Sequence, residues 1–142
     1  MTVRFAEMSD LETLKDWGQA FHKASEYASK EPSCQEALER YLVWHIQSTS
    51  ACILMTERGM IGAVCQPKLD HLTHLVARET FLYSNQPGDL FRLIASLEKW
   101  AVQRGAKSVE LSALSNDVGS RLGNVLARKS YRPLQVTYFK EL

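Results

Sequence analysis

The stretch Ser84-Asn85-Gln86-Pro87-Gly88-Asp89 follows an alternating apolar segment and runs straight into Leu90, Leu93, Ile94, Leu97, Trp100 and Ala101 at helical spacing. Strand, tight turn and long helix in that order leave backbone amides without partners at the helix start. They also set the positive end of the helix dipole beside those amides, so the corner can receive a phosphate without any lysine. Gly88 would let an anion approach the main chain closely, although Pro-Gly also serves as a plain tight turn. Upstream, Glu79 lies in the apolar strand, where loss of water can raise a carboxylate's pKa toward neutrality and fit it to accept a proton. The same carboxylate equally suits an ion pair with Arg78, His74 or another cation on a sheet face.

Other chemistries find less support. Cys34, Cys52 and Cys65 are odd in number and lack C-x-x-C spacing, which argues against a disulfide framework and against zinc. The close histidine pair, His71 and His74, has no cysteine or carboxylate cluster beside it, so no metal site is expected. Seventeen Lys+Arg against sixteen Asp+Glu give a net charge of +1. That leaves no long-range field for nucleic acid or an anionic membrane, and any anionic ligand must be held locally. No apolar run approaches the ~20 residues that cross a bilayer, and the N-terminus has no signal-peptide pattern, so the expected location is cytoplasmic.

The elements that must position these groups follow from periodicity. Val3 and Phe5 alternate as a short strand, and Ser9-Asp10-Leu11-Glu12 reads as a capping box opening a helix with Leu11, Leu14, Trp17, Gly18 and Phe21 on one stripe. A second box, Ser33-Cys34-Gln35-Glu36, opens a helix with Ala37, Leu38, Tyr41, Leu42, His45 and Ile46 inward. Residues 51–56 and 60–66 read as a hairpin of central strands, 67–74 as a loop, and 75–84 as a strand. In that strand Ala77, Glu79, Phe81 and Tyr83 should share one face, with Val76, Arg78, Thr80 and Leu82 on the other. The long helix should stop near Gly105, with a strand over 108–114, a helix over 117–129 and a terminal strand over 136–142 following. Trp17, Trp44 and Trp100 are expected in the core. The order β-α-α-β-β-β-α-β-α-β describes an α+β domain over 1–142, a mixed, mostly antiparallel sheet with helices on both faces.

This order, together with the run from Phe91 to Gly105 carrying Glu98-Lys99-Trp100-Ala101-Val102-Gln103-Arg104-Gly105, resembles the cofactor-binding segment of GNAT (GCN5-related N-acetyltransferase) acyltransferases. Phe21-His22-Lys23-Ala24-Ser25-Glu26-Tyr27 and the ending Ser130-Tyr131-Arg132-Pro133 to Lys140-Glu141-Leu142 are similar to a subgroup frequent in phages and prophages. The resemblance implies acetyl-CoA as cofactor and direct transfer of an acetyl group to a small-molecule or protein amine. It further implies a pyrophosphate held by the amides of Gly88, Asp89, Leu90, Phe91 and Arg92. The backbone of Phe81, Leu82 and Tyr83 would then pair with the pantetheine arm. Glu79 would take the amine's proton. The position of the family's usual tyrosine acid is Leu126 here, so Tyr83, Tyr131 or water would serve the departing thiolate. His22, Ser25 and Tyr27 are candidates to line the acceptor groove. Of the family loop Gln/Arg-x-x-Gly-x-Gly/Ala only Gly88 matches, Asn85 and Leu90 departing from it, and Asp89 puts an anion beside the anion site. A non-catalytic GNAT-fold phage structural, assembly or host-interaction protein is the alternative expectation. A homodimer is compatible with the resemblance.

Overall fold

The computed structural model describes residues 2–24, 34–113, 117–140 and 142. The chain divides into two compact units, residues 1–110 and 111–142. Ser25, Tyr27 and Ser33 lie outside the described residues.

The first unit holds β1 (Arg4–Phe5), a 3-10 turn (Met8–Asp10), α1 (Leu11–Ala24), α2 (Gln35–Gln47), β2 (Ala51–Met55), β3 (Gly59–Lys68), β4 (His71–Ser84), α3 (Pro87–Gln103) and β5 (Ser108–Glu110). The strands form one sheet in the order β1-β2-β3-β4-β5. The first four are antiparallel neighbours, and α3 carries the chain across so that β5 joins β4 in parallel. This is the expected α+β architecture with a mostly antiparallel sheet.

Helix entry differs from the sequence expectation. The capping box is Glu7 with Asp10, not Ser9 with Glu12: the Glu7 amide donates to Asp10 Oδ2 at 2.8 Å and the Asp10 amide to the Glu7 carbonyl at 2.9 Å. Asp10 is held there by Arg4, whose two Nη atoms donate at 2.7 and 2.8 Å to its carboxylate. That long-range fork selects the earlier start and holds the Asp10 carboxyl well below the usual carboxylate range, at about 2. Residues 67–74 are not a loop but the end of a hairpin, with Pro67 opposite Leu75 and Lys68 opposite His71. The ladder zips past turn-forming residues because each strand supplies the other's partner, leaving only Leu69 and Asp70 at the tip.

Two faces of the sheet are covered. Leu14 of α1 and Leu42 of α2 pack with Ile53, Met55, Met60 and Phe81, and Leu11, Trp17, Leu38, Ile46 and Tyr83 close around them. Residues of opposite parity, among them Cys52, Ile61, Ala63, Cys65 and Ala77, are buried on the other side, where α3 brings Leu93, Ile94, Leu97, Trp100 and Ala101. Trp44 is not in the core but 48% exposed, because it precedes His45 and so falls off the inward stripe of α2; its ring meets the His45 ring edge-on. α3 ends at Gly105 with φ of 80°, where the Gly105 and Ala106 amides donate back to Val102 and Ala101.

In the second unit α4 (Asp117–Arg128) ends by the same device. The amides of Ser130 and Tyr131 donate to Ala127 and Leu126 at 3.2 and 3.0 Å, and Ser130 takes φ of 67° where glycine is favoured. The terminal strand expected over 136–142 is absent among the described residues. Leu134, Val136 and Tyr138 keep the alternation of a strand, but alternation supplies only a face, not a partner for the ladder.

Candidate functional site

One irregularity organises the centre of the sheet. On β3, Gly62 stands opposite Phe81 and the next residue, Ala63, opposite Glu79, so Thr80 is an extra residue bulged from β4. Cross-strand partners share a face, hence the bulge exchanges sides. Glu79 and Ala77 lie on the face of Ala63, opposite to Phe81 and Tyr83, and the single-face grouping expected from strict alternation does not hold. An added Cβ at Gly62 would run into the Phe81 ring, so this glycine is what lets the ring lie across β3 beside the bulge.

The bulge is pinned from α2. His45 is fully buried, with Nδ1 2.9 Å from the Tyr41 carbonyl and Nε2 2.8 Å from Thr80 Oγ1. A carbonyl only accepts, so Nδ1 carries the hydrogen and Nε2 accepts from the Thr80 hydroxyl, which assigns the neutral Nδ1–H tautomer. Burial lowers the His45 pKa, the Tyr41 carbonyl opposing in part. Tyr41 and Phe81 flank the imidazole with ring centroids at 4.5 and 5.3 Å.

Just past Glu79's neighbours the sheet opens. The β4–β5 ladder ends at Arg78 opposite Glu110, whereas β4 continues to Ser84. Arg78 Nε donates to Glu110 Oε2 at 2.6 Å and closes the last rung. Arg78 therefore has Glu110 as its carboxylate partner. Sequence reasoning missed Glu110, since only the parallel register brings residues 32 apart together.

The open edge leads to the start of α3. The Asn85 amide donates to the Arg58 carbonyl at 3.0 Å, the Gln86 amide to Ser84 Oγ at 3.0 Å, and the Tyr83 hydroxyl to Asn85 Oδ1 at 2.7 Å. Pro87 opens the helix and has no N–H. The Asp89 amide is turned back to the Gln86 carbonyl at 3.1 Å, and from Leu90 onward the helical ladder takes the amides. Gly88 is left with its amide in the first turn and open space where a Cβ would stand, and its φ is not positive. Neither packing nor backbone conformation demands a glycine there. The Asp89 carboxylate is 5% exposed and accepts from Thr56 Oγ1 at 3.0 Å. Thr56 Oγ1 in turn accepts from the Arg58 amide at 3.1 Å. Asp89 thus ties the β2–β3 turn to α3 and faces inward rather than toward an incoming anion.

Leu90 is half-buried, and Phe91 and Arg92 are exposed on α3, while Leu126 is buried on α4. A cavity of about 340 Å³ lies between α1, α2 and the bulge, with Phe21, His22, Leu38, Tyr41, Thr80 and Phe81 in its wall. Glu79 is not among its lining residues, in keeping with its place on the other face. A second cavity of about 250 Å³, by Ser48, Cys52 and Trp100, sits at the far end of β2, away from the α3 start. Among the described residues no cluster of three or more His, Cys, Asp or Glu suits a metal ion, and no helix is long and apolar enough to cross a membrane.

No family model matches the sequence, and no curated protein matches it. Solved structures do match. The aminoglycoside antibiotic 6'-N-acetyltransferase AAC(6')-IG from Acinetobacter haemolyticus aligns with TM-score 0.72 at 15% identity over 100% of this chain and 99% of its own. The ribosomal-protein-alanine N-acetyltransferase from Brucella melitensis biovar Abortus 2308 gives 0.72 at 13% over 99% and 98%. AAC(6')-Iy, solved in complex with the bisubstrate analog CoA-S-monomethyl-acetylneamine, gives 0.69 at 14% over 99% and 97%. The likeness is one of fold: the chain has the mixed α+β fold of these GNAT acetyltransferases.

Proposed function

We propose that this protein is an acetyl-CoA-dependent N-acyltransferase that brings the thioester and an amine together for direct transfer. The observation that carries the reading is the stretch of β4 from Thr80 to Ser84, beyond the last β4–β5 rung, which runs without interruption into the unencumbered Gly88 turn of α3. A pantetheine arm needs an unpaired strand edge, since its amides pair as a short strand would. A diphosphate needs amides at a helix start, and the two lie at opposite ends of one continuous segment.

In this reading the backbone of Phe81, Leu82 and Tyr83 pairs with the arm. Gly88 presents the leading amide to the diphosphate, the Asp89 amide joins it only by leaving the Gln86 carbonyl, and Leu90, Phe91 and Arg92 shape the helix behind them. Glu79, the first residue beyond the last β4–β5 rung, takes the proton of the attacking ammonium at the opening; Glu110 beside it is engaged by Arg78. Acid assistance to the thiolate comes from Tyr83, whose hydroxyl must first leave Asn85 Oδ1. The thioester supplied by the cofactor is the acyl donor, and every other contribution is positioning and proton transfer by these residues.

Titration with acetyl-CoA by calorimetry tests the reading. Saturable one-to-one binding in the micromolar range is expected, and absence of heat at high micromolar ligand refutes it.

A further inference from the structure

We propose that the cavity beside the β4 bulge is a recognition site for a primary amine carrying one uncharged aromatic group, the acceptor of the reaction; its role as acceptor rests on the acyl-transfer reading above. At about 340 Å³ the cavity lies at the low end of the ~300–1,000 Å³ range of small-molecule sites, enough for a ring on a short chain. Its wall presents Phe21 from α1, Tyr41 and Leu38 from α2, and Phe81 and Met60 from the sheet.

Two of those aromatic groups are fixed before any ligand arrives. Tyr41 and Phe81, both in the cavity wall, stand with ring centroids 6.2 Å apart at 59°, a tilted pair against which a ligand ring can pack edge to face. The imidazole that packs against both rings is buried and neutral, and it is not among the residues lining this cavity. Among the described lining residues the polar side chains are the Thr80 hydroxyl, engaged by His45, the His22 ring, the Tyr41 hydroxyl and the Cys34 thiol.

The lining decides between amine classes. No carboxylate stands among the described lining residues, so a polyamine or an aminoglycoside would bring several charges into a wall without counter-charges, each costing its desolvation. A single ammonium on an aromatic body buries the ring and leaves its one charge at the mouth in water. Thr80 and Phe81 belong both to this wall and to the stretch of β4 beyond the last β4–β5 rung, so an amine seated here lies next to the donor path and meets Glu79, which is on the other face, only across the strand edge.

Cys34 gives a direct probe of occupancy, because it lines the cavity and is exposed, whereas Cys52 and Cys65 are buried. Burial pushes the Cys52 thiol up to about 12 and the Cys65 thiol up as well, so neither competes for an alkylating reagent near neutral pH. The experiment measures the rate of Cys34 alkylation by N-ethylmaleimide, followed by intact mass, with 2-phenylethylamine, spermidine or kanamycin present at equal concentration. 2-Phenylethylamine at saturation should slow Cys34 labelling by at least threefold, spermidine and kanamycin should leave it unchanged, and Phe21→Ala should weaken the protection about tenfold in half-saturating concentration. Phe21 is partly exposed, and labelling restricted to Cys34 in the variant verifies that its core is intact. Equal protection by spermidine, or none by 2-phenylethylamine in protein that binds acetyl-CoA by calorimetry, overturns the proposal. Protection by 2-phenylethylamine in protein that does not bind acetyl-CoA upholds the aromatic-amine site and removes the acyl-transfer reading instead.

Discussion

Replacing Gly88 by alanine should move stability and cofactor affinity in opposite directions. Gly88 sits in the first turn of α3 with a negative φ, and an added Cβ meets nothing within 4 Å, so alanine introduces neither strain nor a clash. Alanine is favoured over glycine by roughly 1 kcal/mol inside a helix, and by about 0.5 kcal/mol in a terminal turn, largely because the unfolded chain has less freedom to lose. In a chain of 142 residues that is a rise in Tm of about 1–2 °C. Binding should suffer because the methyl group stands in the open space through which a phosphate oxygen reaches the Gly88 amide. Loss of one hydrogen bond to a charged group is worth about 1.5–3 kcal/mol, a 10- to 150-fold weaker Kd for acetyl-CoA. Differential scanning calorimetry and acetyl-CoA titration on the same preparations measure both quantities. A Kd within twofold of the parent would show that no phosphate is seated at this corner. A lower Tm would show that the glycine is there for the fold.

Three further outcomes follow from the same geometry. Ser130→Gly should stabilise the protein by about 1 kcal/mol, because Ser130 holds a left-handed φ of 67° at the end of α4; an unchanged or lower melting temperature refutes this. His45 is held neutral in the folded state with a pKa below its unfolded value of 6.5, so its contribution is complete above that pH and is lost as pH falls through and below it. Unfolding free energies from denaturant titration should therefore drop from pH 7 to pH 5, by at most about 1.4 kcal/mol per pH unit, and His45→Gln should flatten the dependence; an equally steep profile in the variant sinks the assignment. Glu79→Gln should cut kcat for acetylation of 2-phenylethylamine by about 10²–10⁴ while acetyl-CoA affinity stays unchanged, and a loss under tenfold would reassign the proton acceptor.

Local signals made most of the elements legible. Apolar spacing marked α1, α2 and α3, the Pro-Gly pair marked the α3 start, and Gly105 marked its end, because each depends on backbone preferences within a few residues. Strand 4 was legible as a strand but not in its facing, since the bulge at Thr80 is decided by what Gly62 and Phe81 can share across two strands. The helix cap at Glu7 depended likewise on Arg4 reaching Asp10, and the exposure of Trp44 on where α2 lies against the sheet.

The sequence by itself determined the helices, the central strands, the order that yields a mixed sheet, and the Pro87-Gly88 turn that opens α3. Only the tertiary structure decided that Asp89 turns inward to Thr56, that Glu110 meets Arg78 at the last rung before β4 opens, and that His45 locks the bulge. The physical reason is range. Propensity and capping act along the chain, whereas the Thr56–Asp89, Arg78–Glu110 and His45–Thr80 hydrogen bonds join residues more than thirty positions apart, which only the tertiary fold brings together.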